Sequence, residues 1–421
     1  MDAEALLTEM FAAALAAADP MDAVPAHLPP RPEGRVVVVG AGKASARMAQ
    51  AVEAAWGPCE GLVIVPYGGA LPTKGIEIVE ARHPVPDAAG EAAAHRILDL
   101  LAPLGDGDLA LCLISGGGSA LMAAPAPGLT LADKQAVNAQ LLASGAAIGD
   151  MNIIRKHLSA IKGGRLAAAA APARVLALTI SDVPGDDPAI IASGPTVPDP
   201  TTGEDALDIA DRFGLDLPDH VRKVLTGPDG VTPKPDDPLF ERVETRVIAA
   251  PQPALEAAAA VARRAGVTPV ILGDAIEGEA RDVGIVMAGI ADQIRRHGQP
   301  VAPPAVLISG GETTVTVTGT PGKGGRCSEF LLSFAVAAWG RPGLSAIACD
   351  TDGRDGSEQN AGAIWTDRHS ARADRRLALK HLAGHDAYSF FAARDALVDT
   401  GPTHTNVNDF RAILVEADDE N

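Results

Sequence analysis

Three apolar segments of this sequence run directly into glycine-rich turns, and these turns constrain the fold more than any other feature. The turns read GAGKAS at residues 40–45, SGGGS at 115–119 and SGGE at 309–312. Glycine has no side chain, so backbone N–H groups in such turns approach an anion closely, and a helix that follows adds partial positive charge. The pattern predicts strand–turn–helix units with phosphate-binding turns at one edge of a sheet.

Alternating strands and helices surround these turns. In the first half we predict a strand–turn–helix unit from Arg35 through Val52, then strands at 62–65, 76–79, 109–114 and 174–180, and helices at 88–101 and at about 131–147 and 153–170. Continuous apolar strands indicate a sheet covered on both faces, so the fold class is α/β with a mostly parallel sheet. A second series of strands and helices begins at Thr245 and predicts a second, smaller α/β domain.

The boundary between the two domains is placed from length and composition. A chain of 421 residues is longer than one core usually organises. Residues 201–240 are polar and contain several prolines, which is typical of a linker, although a short helix is expected near 204–213. We therefore predict domains at 1–240, with the linker at its end, and at 241–421.

Charge and cysteine content argue against several classes of partner. The chain has a net charge of −19 and 3% aromatic residues, so we expect no binding to nucleic acid or to an anionic membrane surface. Its four cysteines are scattered without a C-x-x-C pair, which favours a reducing cytosol over disulfides or a zinc site. No apolar run has the length of a membrane span, and we predict a cytoplasmic protein.

The first glycine turn matches neither of two familiar nucleotide loops. Ser45 stands where a dinucleotide fingerprint has its third glycine, and no carboxylate follows the next strand to hold a ribose. A Walker A loop needs Ser or Thr where this chain has Ala44. Lys43 then lies in the first turn of a helix, where the helix dipole disfavours a cation. We interpret Lys43 as facing a ligand anion; the alternative is a solvated surface lysine.

The second turn contains three consecutive glycines, Gly116, Gly117 and Gly118, between Ser115 and Ser119. Each glycine weakens regular structure by about 0.5–1 kcal/mol relative to alanine, and a tight turn rarely needs three. We interpret this turn as a cradle for triphosphate, with a plain structural turn as the alternative. The Ser-Gly-Gly at 309–311 repeats it, through an ancient duplication or through independent use of the same turn.

A basic segment at 152–165 places three polar side chains on one helix face, because Arg155, Ser159 and Lys162 are spaced by four and three residues. This face could bind a carboxylate or a phosphate. A solvated helix face explains the pattern equally well.

Carboxylate-rich turns follow a strand in each half of the chain. The first is SDVPGDD at 181–187, which includes Asp182 and Asp187, and the second is DTDGRDG at 350–356, which includes Asp350 and Asp352. Mg²⁺ takes one or two carboxylates together with substrate phosphates, so the two turns indicate a divalent-cation site. The alternative is that these residues cap and shape the turns.

Arg326 opens a predicted helix directly after the glycines of GKGG at 322–325. An arginine flanked by glycines can swing against a transferring phosphoryl group, where such a residue contributes roughly 10³ or more in rate. A surface turn is the alternative.

Taken together, these stretches resemble the glycerate 2-kinases of the MOFRL type, some of which carry the older name hydroxypyruvate reductase. The matching stretches occur in order over nearly the whole chain: VGAGKAS at 39–45, ISGGGSAL at 114–121, NxxRKHLSxIKGGRLA at 152–167, SDVxGD at 181–186, SGPT at 193–196, SGGETTV at 309–315, GGR at 324–326, TDGxDG at 351–356 and TNVND at 405–409. The resemblance implies ATP-dependent phosphorylation of D-glycerate at the C2 hydroxyl, giving 2-phosphoglycerate, with Mg²⁺ or another divalent cation. It also implies a Rossmann-like domain joined to a smaller α/β domain, with the site in the cleft.

The resemblance implies that Lys43 and Arg326 are the catalytic residues. The expected nucleotide- and phosphate-binding residues are Ser115, Gly116, Gly117, Gly118, Ser119, Gly310 and Gly311; the expected glycerate-binding residues are Arg155, Glu312 and Asn406; and the expected metal ligands are Asp182, Asp187, Asp350 and Asp352. Many relatives continue GGR with Asn-Gln, whereas this chain has Cys327-Ser328. We leave open whether the protein forms a homodimer.

Two other functions remain as alternatives. The first is an NAD(P)H-dependent hydroxypyruvate reductase, against which the missing third glycine and the absent ribose carboxylate count. The second is a small-molecule sensor that binds ATP without turnover. Monitoring NADH oxidation and ADP release on the same sample distinguishes the reductase from the kinase, and tight ATP binding without turnover would favour the sensor. The most useful single experiment is identification of the product formed from D-glycerate, ATP and Mg²⁺.

Overall fold

The computed structural model describes residues 2–417, and contacts divide the chain into two units. One unit is continuous, Pro20–Ile248, and we call it the inserted unit. The other, which we call the split unit, joins residues 2–19, with helix α1 (Ala3–Ala17), to residues 249–417. The domain boundary predicted between residues 240 and 241 therefore differs from the structure in two respects. The N-terminal helix belongs with the C-terminal half, and the inserted unit extends to Ile248.

The inserted unit is built on a six-stranded sheet with helices packed around it. Its strands are β1 Val36–Ala41, β2 Glu60–Pro66, β3 Ile76–Ala81, β4 Leu109–Ile114, β5 Arg174–Ile180 and β6 Val243–Ala249. Its helices are α2 Pro20–His27, α3 Ser45–Trp56, α4 Ala88–Leu101, α5 Gly118–Leu121, α6 Leu131–Ser144, α7 Ile148–His157, α8 Arg165–Ala170, α9 Gly203–Arg212 and α10 Asp219–Thr226, with 3₁₀ turns at Ile191–Ser193, Pro228–Gly230 and Pro238–Arg242.

The strand order of this sheet is β3-β2-β1-β4-β5-β6, and the pairs from β3 to β5 are parallel. This is the order of a Rossmann-type sheet, in which the direction of winding reverses between β1 and β4. The predicted α/β class is confirmed. The strand near Thr245, which we expected to start the second series, is instead the edge strand β6 of this first sheet.

The sequence explains why β1 and β4 lie at the centre. Every residue of both strands is buried, as expected for apolar strands with both faces covered. Gly40 permits the close pairing of the two strands, because a Cβ atom there would lie 2.0 Å from the carbonyl oxygen of Leu113. The two turns that follow β1 and β4 therefore start side by side.

Residues 201–240 are packed structure, so the predicted linker is wrong. Helices α9 and α10 bury apolar side chains, including Ile209, Val221 and Leu225, in a cluster with α6 and α7. The segment looks polar in sequence because both helices are amphipathic and their outer faces carry charged residues. The short helix expected near 204–213 is present as α9.

The split unit contains the second main sheet. Its strands are β7 Thr268–Gly273, β8 Gly278–Glu279, β9 Ala305–Ser309, β10 Thr313–Thr314, β11 Leu344–Asp350, β12 Gly362–Trp365, β13 Leu397–Val398 and β14 Asp409–Val415. Its further helices are α11 Pro251–Arg264, α12 Ala280–His297, α13 Arg326–Ala337, α14 Asp367–Ser370, α15 Arg375–Ala383 and α16 Ala387–Ala392.

This second sheet has the order β13-β12-β11-β14-β9-β7 and is mostly antiparallel, with β7 and β9 as its parallel pair. On one side, α12 and α13 pack together over a core that contains Phe330, Phe334 and Phe391. Helix α1 contributes Leu6, Leu7, Met10, Phe11 and Ala14 to the buried interior and packs on α11, β11 and β14.

None of the helices described between residues 2 and 417 combines the length and the apolar composition required to cross a bilayer.

Candidate active site

The two glycine turns of the inserted unit are joined by hydrogen bonds where the strand order reverses. The backbone N–H of Lys43 donates to the Gly116 carbonyl at 2.9 Å, and the N–H of Ala44 donates to the Ser115 hydroxyl at 3.0 Å. Ser45, in the place of the third fingerprint glycine, is buried and donates its hydroxyl to the Leu113 carbonyl. Ligands of open α/β sheets bind at this reversal point, beyond the carboxyl ends of the strands.

The glycines of these turns are required by packing as well as by any ligand. Gly42 has a φ of 146°, and a Cβ there would lie 2.1 Å from the Ser115 hydroxyl oxygen. A Cβ on Gly117 would lie 3.0 Å from the His83 ring, and one on Gly118 would lie 2.8 Å from the Ala41 carbonyl oxygen. Packing therefore requires Gly42, Gly117 and Gly118 whether or not a ligand binds there, a reason that the sequence alone does not reveal.

The helices after the two turns differ in length. The second turn opens α5, which has only four residues, so its helix dipole adds little positive charge. The first turn leads into α3, which has 12 residues, and half-buried Lys43 comes immediately before its N-cap Ala44. The stronger helix terminus therefore lies beside Lys43.

A cavity of about 210 Å³ opens beside the second turn and is lined by Gly117 and Ser119. Three cationic side chains also line it: Lys134 from α6, Arg155 from α7, and Lys162 from the loop before α8. We call this group the cation cluster. No Asp or Glu lines the cavity, and none of the three cations forms an ion pair within the described part of the chain, residues 2–417.

Neutral groups hold the three cations in place. Arg155 donates from Nε and Nη2 to Asn138 Oδ1 at 3.0 and 2.5 Å. Lys134 Nζ donates to the Leu158 carbonyl at 2.9 Å. Lys162 is 2% exposed, and its Nζ donates to the Ser119 carbonyl at 2.6 Å. Uncharged partners leave the positive charge of the cluster uncompensated.

The surroundings disfavour the charged forms of all three groups. Burial, reinforced by Arg165 and Arg155, lowers the pKa of Lys134 to about 7. Burial, reinforced by Lys134 and Arg155, holds the pKa of Lys162 well below its usual range. Burial also lowers the pKa of Arg155. A negative charge in the cavity would reverse these effects, so the cluster is arranged to receive an anion.

The structure partly separates the residues predicted to share one helix face. Arg155 and Lys162 line the same cavity, but Ser159 is buried and donates its hydroxyl to the Ala124 carbonyl. The helix expected over 153–170 ends at His157 and resumes at Arg165. The sequence did not predict Lys134 as a site residue, because a lysine on an amphipathic helix looks like a solvated residue. Only the folded chain places its half-buried side chain in the cavity wall.

The first carboxylate turn follows β5, the strand beside β4. Asp182 is half-buried, and Asp187 is exposed with its Oδ1 accepting the Ala189 N–H at 2.9 Å. Asp186 has a φ of 54°, and its buried Oδ1 has no hydrogen-bond partner among residues 2–417. The turn presents carboxylate oxygens at the carboxyl end of the strand.

In the split unit, Arg326 is held by three carboxylates. Its Nε donates to Asp409 Oδ1 at 2.8 Å, Nη1 to Glu312 Oε1 at 2.7 Å, and Nη2 to Asp350 Oδ2 at 2.8 Å. Although burial opposes the charge, Asp409, Asp350 and Glu312 hold the pKa of Arg326 above its usual range. The structure therefore gives Asp350 a guanidinium partner, while its predicted role as a metal ligand stays a prediction.

Asp355, which the sequence analysis did not single out, caps the helix that begins at Arg326. Its two carboxylate oxygens accept the N–H groups of Cys327 and Ser328 at 2.9 and 2.8 Å. Burial raises the pKa of Asp355 to about 6 even though these hydrogen bonds lower it. Cys327 and Ser328, which replace the Asn-Gln of many relatives, are themselves fully buried. Asp355 thus occupies the end of the helix that an anion would otherwise approach.

The remaining predicted residues lie around Arg411 and the start of β14. Gly311 has a φ of 95°, and a Cβ there would lie 2.2 Å from the Ile276 nitrogen, so packing also requires this glycine. Arg411 donates to the carbonyls of Gly310 and Gly311 at 2.8 and 3.4 Å. Asn406 is buried just before β14, and its Oδ1 accepts the Asn408 N–H at 3.4 Å.

Carboxylates near one another do not by themselves form a metal site. Among residues 2–417, no group of three or more His, Cys, Asp or Glu side chains has the arrangement of a metal site. In the second carboxylate turn, Asp352 accepts the N–H of Arg354 at 2.9 Å and donates its own N–H to Asp350. These bonds shape the turn.

Comparisons with known proteins identify the family. The chain matches the domain of unknown function DUF4147 over residues 6–226 and the MOFRL family over residues 305–409. A provisionally named hydroxypyruvate reductase from Agrobacterium vitis is 55% identical over 99% of this chain and 95% of its own length. A D-glycerate 2-kinase from Thermotoga maritima is 38% identical over 96% of both chains.

Solved structures give the same result. The crystal structure of a glycerate kinase from Thermotoga maritima superposes with a TM-score of 0.88 at 37% identity, covering 97% of this chain and 98% of that one. A protein from Pyrococcus horikoshii superposes with a TM-score of 0.82 at 36% identity, covering 99% of both chains. Fold, motifs and relatives agree: the chain belongs to the glycerate kinase family that combines a DUF4147 domain with a MOFRL domain.

Proposed function

We propose that this protein is an ATP-dependent glycerate 2-kinase, which converts D-glycerate and ATP into 2-phosphoglycerate and ADP. The observation that carries the proposal is the pair of hydrogen-bonded turns at the reversal point of the sheet, with Lys43 beside the start of α3. The relatives named glycerate 2-kinase support it over 96% of the chain. All four cysteines are free, buried thiols, which supports a reducing compartment such as the cytoplasm.

In the proposed reaction, the C2 hydroxyl oxygen of glycerate forms a bond to the γ-phosphorus while the bond from that phosphorus to the β,γ-bridging oxygen breaks. The hydroxyl proton passes to solvent as the new bond forms, and the electrons of the broken bond stay on the β-phosphate oxygen of ADP. The turn at Ser115–Ser119 binds ATP phosphates through backbone N–H groups, although those of Ser115 and Gly118 already donate to the Ala41 and Ser115 carbonyls. Lys43 stabilises charge on the transferring group. The reaction does not need a strong base, because the transition state of phosphoryl transfer is loose.

The carboxylates after β5 fit a divalent cation by the chemistry of their oxygen donors. We propose that Asp182 and Asp187 hold Mg²⁺, which when bound neutralises phosphate charge. Arg155 binds the substrate carboxylate. Arg326, the second expected catalytic residue, stabilises phosphoryl charge, with Glu312 and the buried Asn406 as further substrate-binding residues. Gly310 and Gly311 are proposed to bind phosphate.

Product analysis tests the proposal directly. The enzyme is incubated with D-glycerate, ATP and Mg²⁺, and phosphorus NMR distinguishes phosphate on C2 from phosphate on C3. We expect 2-phosphoglycerate, and omission of Mg²⁺ should abolish turnover. Formation of 3-phosphoglycerate, or no product at all, would overturn the assignment.

Lys43→Ala is expected to lower kcat by roughly 10² or more, because a positioned charge at the transferring group is removed. Lys74→Ala is the matched control, since Lys74 is an exposed lysine of the same unit. Turnover is measured by coupling ADP release to NADH oxidation, and circular dichroism checks the fold. Equal kcat values for the two variants would remove Lys43 from the mechanism.

The second candidate is a hydroxypyruvate reductase, which is favoured by the name of the 55% identical relative. It requires a nicotinamide cofactor, yet β2 ends at Pro66 and is followed by Tyr67 rather than by a ribose-binding carboxylate. The assay is nicotinamide absorbance with hydroxypyruvate and NADH or NADPH in the absence of ATP. Oxidation above the protein-free rate would favour the reductase.

A further inference from the structure

The cation cluster has more positive charge than the expected role of Arg155 explains. Lys134, Arg155 and Lys162 come from separate segments of the inserted unit and line one cavity. Neutral hydrogen-bond partners hold the three side chains in place, but no counter-ion offsets their charge. A charge that is removed from water without a counter-ion destabilises the fold. An anionic ligand in the cavity would supply the missing negative charge.

The size of the cavity limits what this ligand can be. Sites for drug-sized ligands have volumes of about 300–1,000 Å³, whereas this cavity has about 210 Å³. A nucleoside triphosphate exceeds that space, but a three-carbon acid does not. The side chains of Val137 and Leu158 form part of the wall, and they favour a short carbon chain over further polar groups.

The position of the cavity relates it to the reaction. Gly117 and Ser119 of the second turn line its wall, and the neighbouring Gly116 accepts the N–H of Lys43. A small acid held in the cavity therefore lies next to the turn that is proposed to bind ATP phosphates. Lys162 joins the two features, because its Nζ donates to the carbonyl of Ser119 while its side chain lines the cavity.

We propose that this cavity binds the acid substrate, a three-carbon 2-hydroxy acid, and that Lys134 together with Arg155 binds its carboxylate. This inference rests on the proposed function and adds to it the location of the substrate, a second binding cation and a limit on chain length. Nucleotide phosphates are the competing occupant, since they carry the same charge.

Binding of the acid is coupled to a proton. The charged groups near Lys134 are Arg155 of α7, Lys162 of the loop before α8 and Arg165 of α8, all of them cations. The titratable His83 lines the same cavity. The adjacent Asp133 is bound instead to Thr130 and His220. A carboxylate placed beside Lys134 raises the pKa of that lysine from about 7, so the complex takes up protons near neutral pH.

The kinetic test compares Lys134→Met and Arg155→Met with the wild type. A hydrogen bond to a charged group is worth about 1.5–3 kcal/mol, so each variant should raise KM for glycerate at least about tenfold. KM for ATP should change less than about twofold. Lys223→Met is the matched control, because it removes an exposed lysine from α10 of the same unit. A rise in KM for ATP instead would assign the cavity to the nucleotide and overturn the inference.

A binding test does not depend on turnover. Titration calorimetry of D-glycerate without nucleotide, in two buffers of different ionisation enthalpy, should show proton uptake by the wild type and its loss in Lys134→Met. Three-carbon 2-hydroxy acids should compete, whereas longer ones should not. No glycerate binding to the wild type would overturn the inference.

The two proposals fail in distinguishable ways. If the wild type phosphorylates D-glycerate while both methionine variants keep its KM, the cavity assignment fails alone. If the wild type binds glycerate with proton uptake but makes no phosphorylated product, the kinase assignment fails and the cavity assignment stands.

Discussion

Lys134 and Arg326 carry similar charges in opposite surroundings. Lys134 lies among other cations, and its pKa is lowered to about 7, whereas Arg326 lies among three carboxylates, which raise its pKa. The first arrangement lacks an anion, and the second has an excess of them. At the scale of single residues, each arrangement makes its own prediction for stability.

Replacing Lys134 with Met should stabilise the protein in a pH-dependent manner. The unfolded lysine has a pKa of 10.5 and the folded one about 7. Between these values the unfolded chain binds more protons, so wild-type stability rises with pH. The gain in the variant should therefore be largest below about pH 7 and shrink toward pH 10. Urea unfolding at a series of pH values measures it, and a gain that is independent of pH would contradict the lowered pKa.

Replacing Arg326 with Ala should reduce stability as well as activity. Asp409 and Asp350 are buried and would lose a guanidinium partner. Breaking a buried pair costs about 3–5 kcal/mol, and the lower end of that range is expected because Asp409 keeps Arg411 as a second partner. Glu312 is 48% exposed, so Glu312→Gln should cost less than about 1 kcal/mol. Chemical denaturation compares both variants with the wild type. A fully stable but inactive Arg326→Ala protein would show that the three carboxylates do not need this partner.

The sequence predicted part of this residue-scale arrangement. Helical spacing predicted that Arg155 and Lys162 lie together, and both do line the cavity, although the helix ends at His157 between them. Spacing could not reveal Lys134, which comes from another helix, or the Asp409 that binds Arg326 across 83 positions of the chain. Local patterns contain the residue types of a site, but the partners of a charge depend on the folded chain.

At the scale of elements, α9 and α10 show how amphipathic helices can be mistaken for a linker. Their polar faces dominate the composition of residues 201–240, while the buried face is a minority of the residues. The edge strand β6 was misassigned for a related reason: a strand pattern contains no information about which sheet it joins. Strands β1 and β4 were predictable because both of their faces are buried and their sequences are continuously apolar.

Leu225→Ala should destabilise the inserted unit by about 2–5 kcal/mol, because it opens a cavity in the cluster formed with α6 and α7. Val231→Ala is the control, since Val231 is 61% exposed and its truncation should change stability by less than about 0.5 kcal/mol. Thermal unfolding of the two variants is sufficient. Equal melting temperatures would restore the interpretation of this segment as a linker.

At the scale of the whole molecule, the split unit depends on a helix that is distant in sequence. Phe11 of α1 stacks on Phe410 of β14 with ring centroids 5.5 Å apart, and the Thr405 hydroxyl donates to the Ala18 carbonyl at 2.7 Å. The two-domain α/β class was predictable from the order of motifs. This pairing was not, because nothing in α1 itself specifies which sheet its apolar face covers.

Phe11→Ala should therefore destabilise the split unit, by about 3–5 kcal/mol, although the residue precedes the inserted unit in sequence. Thr8→Ala is the control on the exposed face of the same helix. Hydrogen exchange followed by mass spectrometry should place the lost protection in β11 and β14. Loss confined to residues 20–248 would contradict the assignment of α1.

Because the two segments of the split unit are separated in sequence by the inserted unit, they are synthesised at different times. During translation the whole inserted unit has been made once Ile248 is added, whereas α1 is made long before the strands it covers. A truncated product that ends after the inserted unit contains α1 but lacks the strands that the apolar face of this helix covers. We expect such a fragment to expose Leu7, Met10 and Phe11, which are buried in the complete protein, and such exposed apolar patches promote aggregation.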